Sequence, residues 1–156
     1  MLNKIILLFT LLAYSIIVSQ SYMYIIALKK AQTAMQANSY IEFRKLLDAG
    51  FVANFKYVIY AALLTNLLLV IVTIKEPGSL LFITAAIAFA AIVIDTLLAV
   101  KGNIPINNLI NTWSADHYPG NWAGYRTKWL EYFQYRQVAN ITGFVSLLVG
   151  TVFGVK

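Results

Sequence analysis

Four long apolar runs restrict this chain to one class of fold. Residues 5–28, 51–74, 80–100 and 138–155 are each dominated by Leu, Ile, Val, Ala and Phe. An α-helix of roughly 20 such residues crosses the hydrocarbon core of a bilayer. Lipid offers the backbone no hydrogen-bond partner, so a helix that satisfies its own N–H and C=O groups is the element expected there. The composition agrees: 60% of the 156 residues are hydrophobic and 12% are charged, and mean hydropathy is +0.72. A soluble domain of this size would lack the polar surface to cover so much apolar side chain. The sequence therefore predicts an all-α integral membrane four-helix bundle, one membrane domain over residues 1–156. The first run also has features of a signal peptide, with Lys4, an apolar stretch and Ser19-Gln20-Ser21. Its apolar character continues to Leu28, which is long for such a peptide and favours a span.

The connections are uneven. Lys75-Glu76-Pro77-Gly78-Ser79 makes a tight turn between the second and third runs. Residues 29–50 and 101–137 form longer, polar connections, which four spans place together on one membrane face, opposite the termini and the tight turn. In the first, Ser39 and Glu42 fit a capping box that starts a helix running into the second span. In the second, a turn is expected at Pro105, then a short helix over residues 106–113, then a loop through Pro119-Gly120. From about Asn121 a helix of roughly 30 residues continues into the fourth span, so its first turns stand out of the membrane. Lys29, Lys30, Arg44, Lys45, Lys56, Lys101, Arg126, Lys128 and Arg136 lie on the long-connection face. Lys4, Lys75 and Lys156 lie on the other. The positive-inside rule then turns the long connections to the cytoplasm.

The chemistry is narrowed by absences. The net charge of +6 comes from cations at segment ends, with no basic run, so no nucleic-acid partner is implied. There is no cysteine, which excludes disulfides, thiolate nucleophiles and Cys-ligated metals. His117, the single histidine, stands beside Asp116 without a ligand cluster, so no metal is expected. No Ser/His/Asp set, phosphate loop or spaced carboxylate pair is present.

Two features remain. Asp95 is a carboxylate inside the third span, where charge is costly and generally faces the bundle interior. On the final helix Trp122, Arg126, Trp129, Phe133, Arg136 and Asn140 recur at spacings of four and three, which puts guanidinium and aromatic groups on one stripe. Arginine forks bind oxyanions and stack on rings. Arg136 lies at a depth like that of Asp95, and the two are expected to pair. The bland readings are a structural ion pair for Asp95 and an interfacial aromatic belt with snorkelling arginines for the stripe. Asn103, Asn107, Asn108 and Asn111 surround Pro105, with Asn107 placed to point into the bundle. Asn66 and Asn140 are polar groups within spans, suited to bonding another helix.

Ile104-Pro105-Ile106-Asn107-Asn108, Trp113, Asn121-Trp122, Arg126-Thr127-Lys128-Trp129 and Arg136 together resemble the anthrone oxygenase-like membrane family, over about a quarter of the chain. The resemblance implies a four-span bundle. It also implies oxidation or binding of a lipophilic aromatic or quinone-like molecule, no cofactor, and residence in a bacterial cytoplasmic membrane. Some fungal members convert anthrones to anthraquinones. Two departures stand out: Phe133 occupies the place of a family histidine, and Ser19 and Ser21 replace small glycines. On this reading Asp95, Arg126 and Arg136 are the candidate catalytic residues. Asn103, Asn107, Trp113, Trp122, Trp129, Phe133 and Asn140 are the candidate substrate contacts. Membrane lipid, a lipophilic small molecule and further copies or subunits of a membrane complex are the candidate partners. The alternative is a non-catalytic scaffold that exposes the stripe as an interface. A small transporter is a third reading, with the lone spanning acid and no broken helix against it.

Overall fold

The computed structural model describes residues 2–114 and 116–154. Four helices make up nearly all of it: α1 (Leu2–Ala34), α2 (Ala37–Thr73), α3 (Leu80–Asn111) and α4 (Trp122–Gly154). All four are long and apolar enough to cross a membrane. At 32 to 37 residues each is roughly 50 Å long, against a hydrocarbon core of about 30 Å. Each rod therefore exceeds that core by about 20 Å, two fifths of its length. The architecture is that of a multi-pass membrane protein.

The helices run up and down and close a ring in chain order. α1 packs on α2 and α4, α3 packs on α2 and α4, and the α3–α4 seam is the most extensive. Small residues make that seam possible. Ala85, Ala88 and Ala91 of α3 are buried, and on α4 a Cβ added at Gly143 or Gly150 would run into Tyr14 or Thr84. Without a hydrophobic drive between spans in lipid, such close backbone approach is what dispersion needs. Phe9, Leu12 and Ile16 of α1, Leu64 and Ile71 of α2, and Ile87 and Ile94 of α3 point outward, as lipid-facing side chains do. The interior has two layers. Leu7, Ile17, Leu69, Ile92 and Leu147 fill an aliphatic layer toward the 75–79 turn. Tyr24, Tyr40, Trp113, Trp129 and Phe133 fill an aromatic layer at the other end.

The tight turn is as expected, and the Ser79 hydroxyl caps α3 by accepting from the Phe82 amide at 3.2 Å. Elsewhere three expectations are corrected. The first long connection is hardly a loop: α1 continues to Ala34, and only Met35 and Gln36 separate it from α2. Nor does Ser39 cap α2. The helix begins at Ala37 behind an extended Gln36 that lends no side-chain cap, with the Tyr40 amide on Gln36 O at 2.9 Å. Starting there lets Ala37, Tyr40 and Ile41 bury in the aromatic layer, a tertiary gain that outweighs one side-chain cap. Finally, Pro105 does not turn the chain. It sits at the start of the 104–111 segment of a helix that continues through it. The reason lies just before it. Residues 99–103 form a π turn in which the Ile104 amide reaches back five residues to Ala99 O. That wider turn begins a new register in which a residue lacking N–H is tolerated, as at a helix start. Similar π turns occupy Tyr24–Leu28 and Phe51–Phe55. Lys156 and Val155, assigned above to the charge count and to the end of the fourth span, lie outside the described residues.

Candidate functional site

The three π turns sit in the end of the bundle that holds the aromatic layer, and π turns often accompany functional sites. Beside two of them a cavity of about 350 Å³ lies between α2 and α3. Its mouth is formed by exposed Val52, Lys56, Tyr60, Val100 and Ile104, on the outer face of the bundle. Phe51, Phe55 and Ile59 make apolar walls. The floor is polar, with Arg44, Asp95, Asn103, Asn107, Trp129 and Arg136. An apolar concavity with a few convergent polar groups is the usual form of a small-molecule site.

One half of the floor is an ion pair. Asp95 is fully buried and accepts from Arg136 Nε at 2.7 Å and from Arg136 Nη2 at 3.5 Å. Asn140 Nδ2 donates to the same carboxylate at 3.1 Å. Arg136 Nη1 continues to Asn103 Oδ1 at 3.3 Å, and Asn103 Nδ2 donates to Trp129 O at 2.9 Å. The expected Asp95–Arg136 pair is thus present, and it is the sole ion pair among the described residues.

The other half centres on Asn107. Its Oδ1 accepts from Trp129 Nε1 at 2.8 Å and from Arg44 Nη2 at 2.8 Å. Its Nδ2 donates to Asp48 Oδ1 at 2.7 Å, while Asn111 Nδ2 holds Asp48 Oδ2 at 2.7 Å. Three bonds on one amide fix its rotamer. The Arg44 guanidinium lies over Trp129, with Cζ 3.9 Å from the ring centroid. Its Nη1 reaches the Tyr24 hydroxyl at 3.3 Å, and Gln32 Nε2 donates to the same hydroxyl at 2.7 Å. Phe133 completes the stack under Tyr24, 4.3 Å away, and under Trp129, 5.2 Å away.

The six-residue stripe is thus split. Trp129 and Arg136 line the cavity. Phe133 and Asn140 are buried directly behind it. Trp122 and Arg126 lie away from it: Arg126 Nη1 donates to Gln32 O at 3.1 Å and Met35 O at 2.9 Å, closing the C-terminus of α1, and its guanidinium faces Trp122 at 4.7 Å. Carbonyls at a helix end attract a cation, so its position there has a structural cause. Trp113 packs edge-on against Tyr125 at 5.5 Å, and its carbonyl accepts from Lys45. Asn103 and Asn107 converge on the floor, whereas Asn108 is exposed.

Sequence reasoning passed over Arg44, Asp48, Tyr24 and Gln32. Arg44 counted only as a loop cation in the charge balance. The available signal was Tyr40, Arg44, Asp48, Phe51 and Phe55, which recur at spacings of four and three and so share a face. With Arg44, Arg126 and Arg136 bound into the interior, Lys29, Lys30, Lys45, Lys56, Lys101 and Lys128 still outnumber Lys4 and Lys75 across the two ends. Comparison with family models, with curated proteins and with solved structures finds no match for this chain.

Proposed function

We propose that the protein takes a lipophilic aromatic molecule bearing a ring oxygen, of the anthrone or quinone kind, from the bilayer into the cavity between α2 and α3. The observation that carries this reading is the cavity's polarity gradient. Its walls and most of its mouth are apolar and open on the outer face of the bundle, and its inner end holds fixed N–H donors and two carboxylates. A planar ring bound there would lie against the Phe51–Phe55 pair, with its oxygen toward the donors on the floor. The burial of Trp129 and Phe133, at 3% and 1% exposed, favours a ligand site over a scaffold interface, which needs those rings on the surface.

The family resemblance extends the reading to oxidation. Anthrone and dioxygen give anthraquinone and water, with dioxygen as the oxidant. The step begins with transfer of a proton from the methylene between the rings to water at the cavity mouth, which leaves an enolate oxygen. Pre-positioned guanidinium donors in a site shielded from water stabilise such an oxygen, often the largest catalytic contribution. Arg44 and Arg136 are the donors within the cavity, and Asp95 holds Arg136 in place.

Binding is tested in nanodiscs by titrating 1,4-naphthoquinone and following tryptophan quenching, with empty nanodiscs subtracted. Saturable quenching that disappears when Ala99→Trp fills the cavity is expected. Quenching that rises linearly with probe and ignores Ala99→Trp means partition into lipid and removes the reading. Aerobic incubation with anthrone, scored by oxygen uptake and anthraquinone absorbance, tests the oxidation separately.

A further inference from the structure

The two guanidinium groups in the cavity are not equivalent. Arg136 is neutralised by Asp95 at 2.7 Å. Arg44 is 4% exposed and has no carboxylate within 4.0 Å among the described residues. Its Nη1 and Nη2 are held by neutral oxygens of Tyr24 and Asn107, and its Nε has no hydrogen-bond partner among the described residues. An orphaned N–H on a buried cation is costly, because the group has left water without a replacement acceptor. The cavity reaches this side chain. Its charged lining is Arg44, Lys56 and Arg136 against Asp48 and Asp95, three cations to two carboxylates. Asp48 is occupied by Asn107 and Asn111, and Lys56 is exposed at the mouth with its Nζ 5.2 Å from the Tyr57 ring. Arg44 is therefore the inner cation with no carboxylate in direct contact, and it carries a donor still to be satisfied.

We infer that Arg44 is the anchor for an anionic oxygen and that the site selects lipophilic acids, such as phenolates, enolates and carboxylates, over neutral molecules of the same shape. This rests on the ligand-binding reading above and names the charge of its ligand. Trp129 and Asn107 hold the guanidinium in its plane. That pre-organisation lets a charge-assisted bond form without further ordering of the side chain. Arg136 cannot serve equally, since an incoming anion would have to compete with Asp95.

The test uses two probes of one shape, 2-hydroxy-3-octyl-1,4-naphthoquinone, ionised at neutral pH, and its methyl ether. Both are titrated into the full chain in phosphatidylcholine nanodiscs, with empty nanodiscs subtracted. Wild type should bind the anion roughly ten- to hundredfold more tightly than the ether, as one charge-assisted hydrogen bond warrants. Arg44→Gln should erase that preference while ether affinity stays within about twofold, and Arg44→Lys should retain part of it. Lys128→Gln, an exposed cation outside the cavity lining, should leave the preference in place. A second readout needs no variant. Bound to wild type, the probe's visible absorbance should titrate at lower pH than in empty nanodiscs, because a nearby cation favours the ionised form. Arg44, Lys56, Arg136, Asp48, Asp95, Tyr24 and Tyr60 are the ionisable groups around it. Equal affinities in wild type, an upward shift of the bound acid, or a preference surviving Arg44→Gln overturns the assignment. Saturable ether binding without anion preference leaves the ligand site standing and removes only Arg44's role. Saturation by neither probe removes both.

Discussion

Asp95→Asn isolates the ion pair because the substitution keeps the shape and deletes the charge. The pair is buried, with Asp95 fully enclosed and the contact at 2.7 Å. Two unit charges about 4 Å apart attract by about 4 kcal/mol at an effective dielectric of about 20. Truncating one partner of a buried pair costs roughly 3–5 kcal/mol, since the other charge is stranded. The amide oxygen introduced in place of the carboxylate could still accept a bond from Arg136 or from Asn140, which places the expected loss near the lower bound, about 3 kcal/mol. Arg136→Gln should cost about the same. The double variant Asp95→Asn/Arg136→Gln leaves two neutral amides in hydrogen-bonding range, so its loss should fall short of the sum of the singles by about 2 kcal/mol. Unfolding in mixed micelles with increasing SDS, followed by far-UV circular dichroism, measures all three. A cost below about 1 kcal/mol for Asp95→Asn, or single-site costs that simply add, would show that Arg136 is hydrated and that no buried pair exists.

In a chain free of native cysteine, Lys75→Cys and His117→Cys should be labelled by impermeant maleimide from opposite sides of the membrane, and same-side labelling would remove the up-down ring. Gly102→Ala should destabilise by roughly 1–3 kcal/mol, because its Cβ would meet the Tyr132 ring; Tyr132→Ala should restore much of that loss in the double variant, and an unchanged unfolding midpoint for Gly102→Ala alone would contradict the packing. Arg126→Ala should lower stability by about 1–2 kcal/mol through the lost bonds to Gln32 O and Met35 O while leaving naphthoquinone affinity within about twofold; a selective loss of affinity would return Arg126 to the binding site.

The four spans were legible because the bilayer enforces them residue by residue: a run is apolar over the needed length or it is not. Asp95 and Arg136 were legible for the same reason, since each is expensive alone at that depth and inexpensive only when paired. Arg44 was not, because a cation at the polar end of a span is ordinary, and only the fold reveals that Trp129 and Asn107 close over it. The π turns were also hidden. Nothing in Ala99-Val100-Lys101-Gly102-Asn103 marks a wide turn, and Pro105 argued for a break. Proline's effect depended on the hydrogen-bond register already set upstream, which local composition does not report. The split of the stripe was invisible for a geometric reason as well. Six residues can share a helix face over about five turns, yet a cavity against that face spans only the middle of it.

The π turn in α3 has a definite task, which a pair of deletions can expose. Asp95 and Asn103 both reach Arg136, through Nε at 2.7 Å and Nη1 at 3.3 Å, although they are eight residues apart. In an uninterrupted α-helix, eight residues leave the second side chain about 80° past the first. A turn that absorbs one extra residue reduces the step to about seven regular residues, which brings the two within about 20° of alignment. The same shift carries Asn107 and Ile110 inward behind Asn103. Deleting Lys101, an exposed residue of the turn, removes the extra residue, so a regular helix should form with everything beyond it still on its present face. Saturable naphthoquinone quenching should then survive. Deleting exposed Leu97 together with Lys101 leaves one residue too few, and rotates the chain beyond by about 100° relative to Asp95. Helix content should be retained, since Leu81 to Asp95 still pack as before. The Asn107 contacts to Trp129, Arg44 and Asp48 should be lost together, and saturable quenching with them. Loss of binding on deleting Lys101 alone, in a chain that keeps its helix content and in which Lys101→Ala binds normally, would show that the wide turn does not simply absorb a residue. Normal binding by the double deletion would show that the register of α3 does not set the site's geometry.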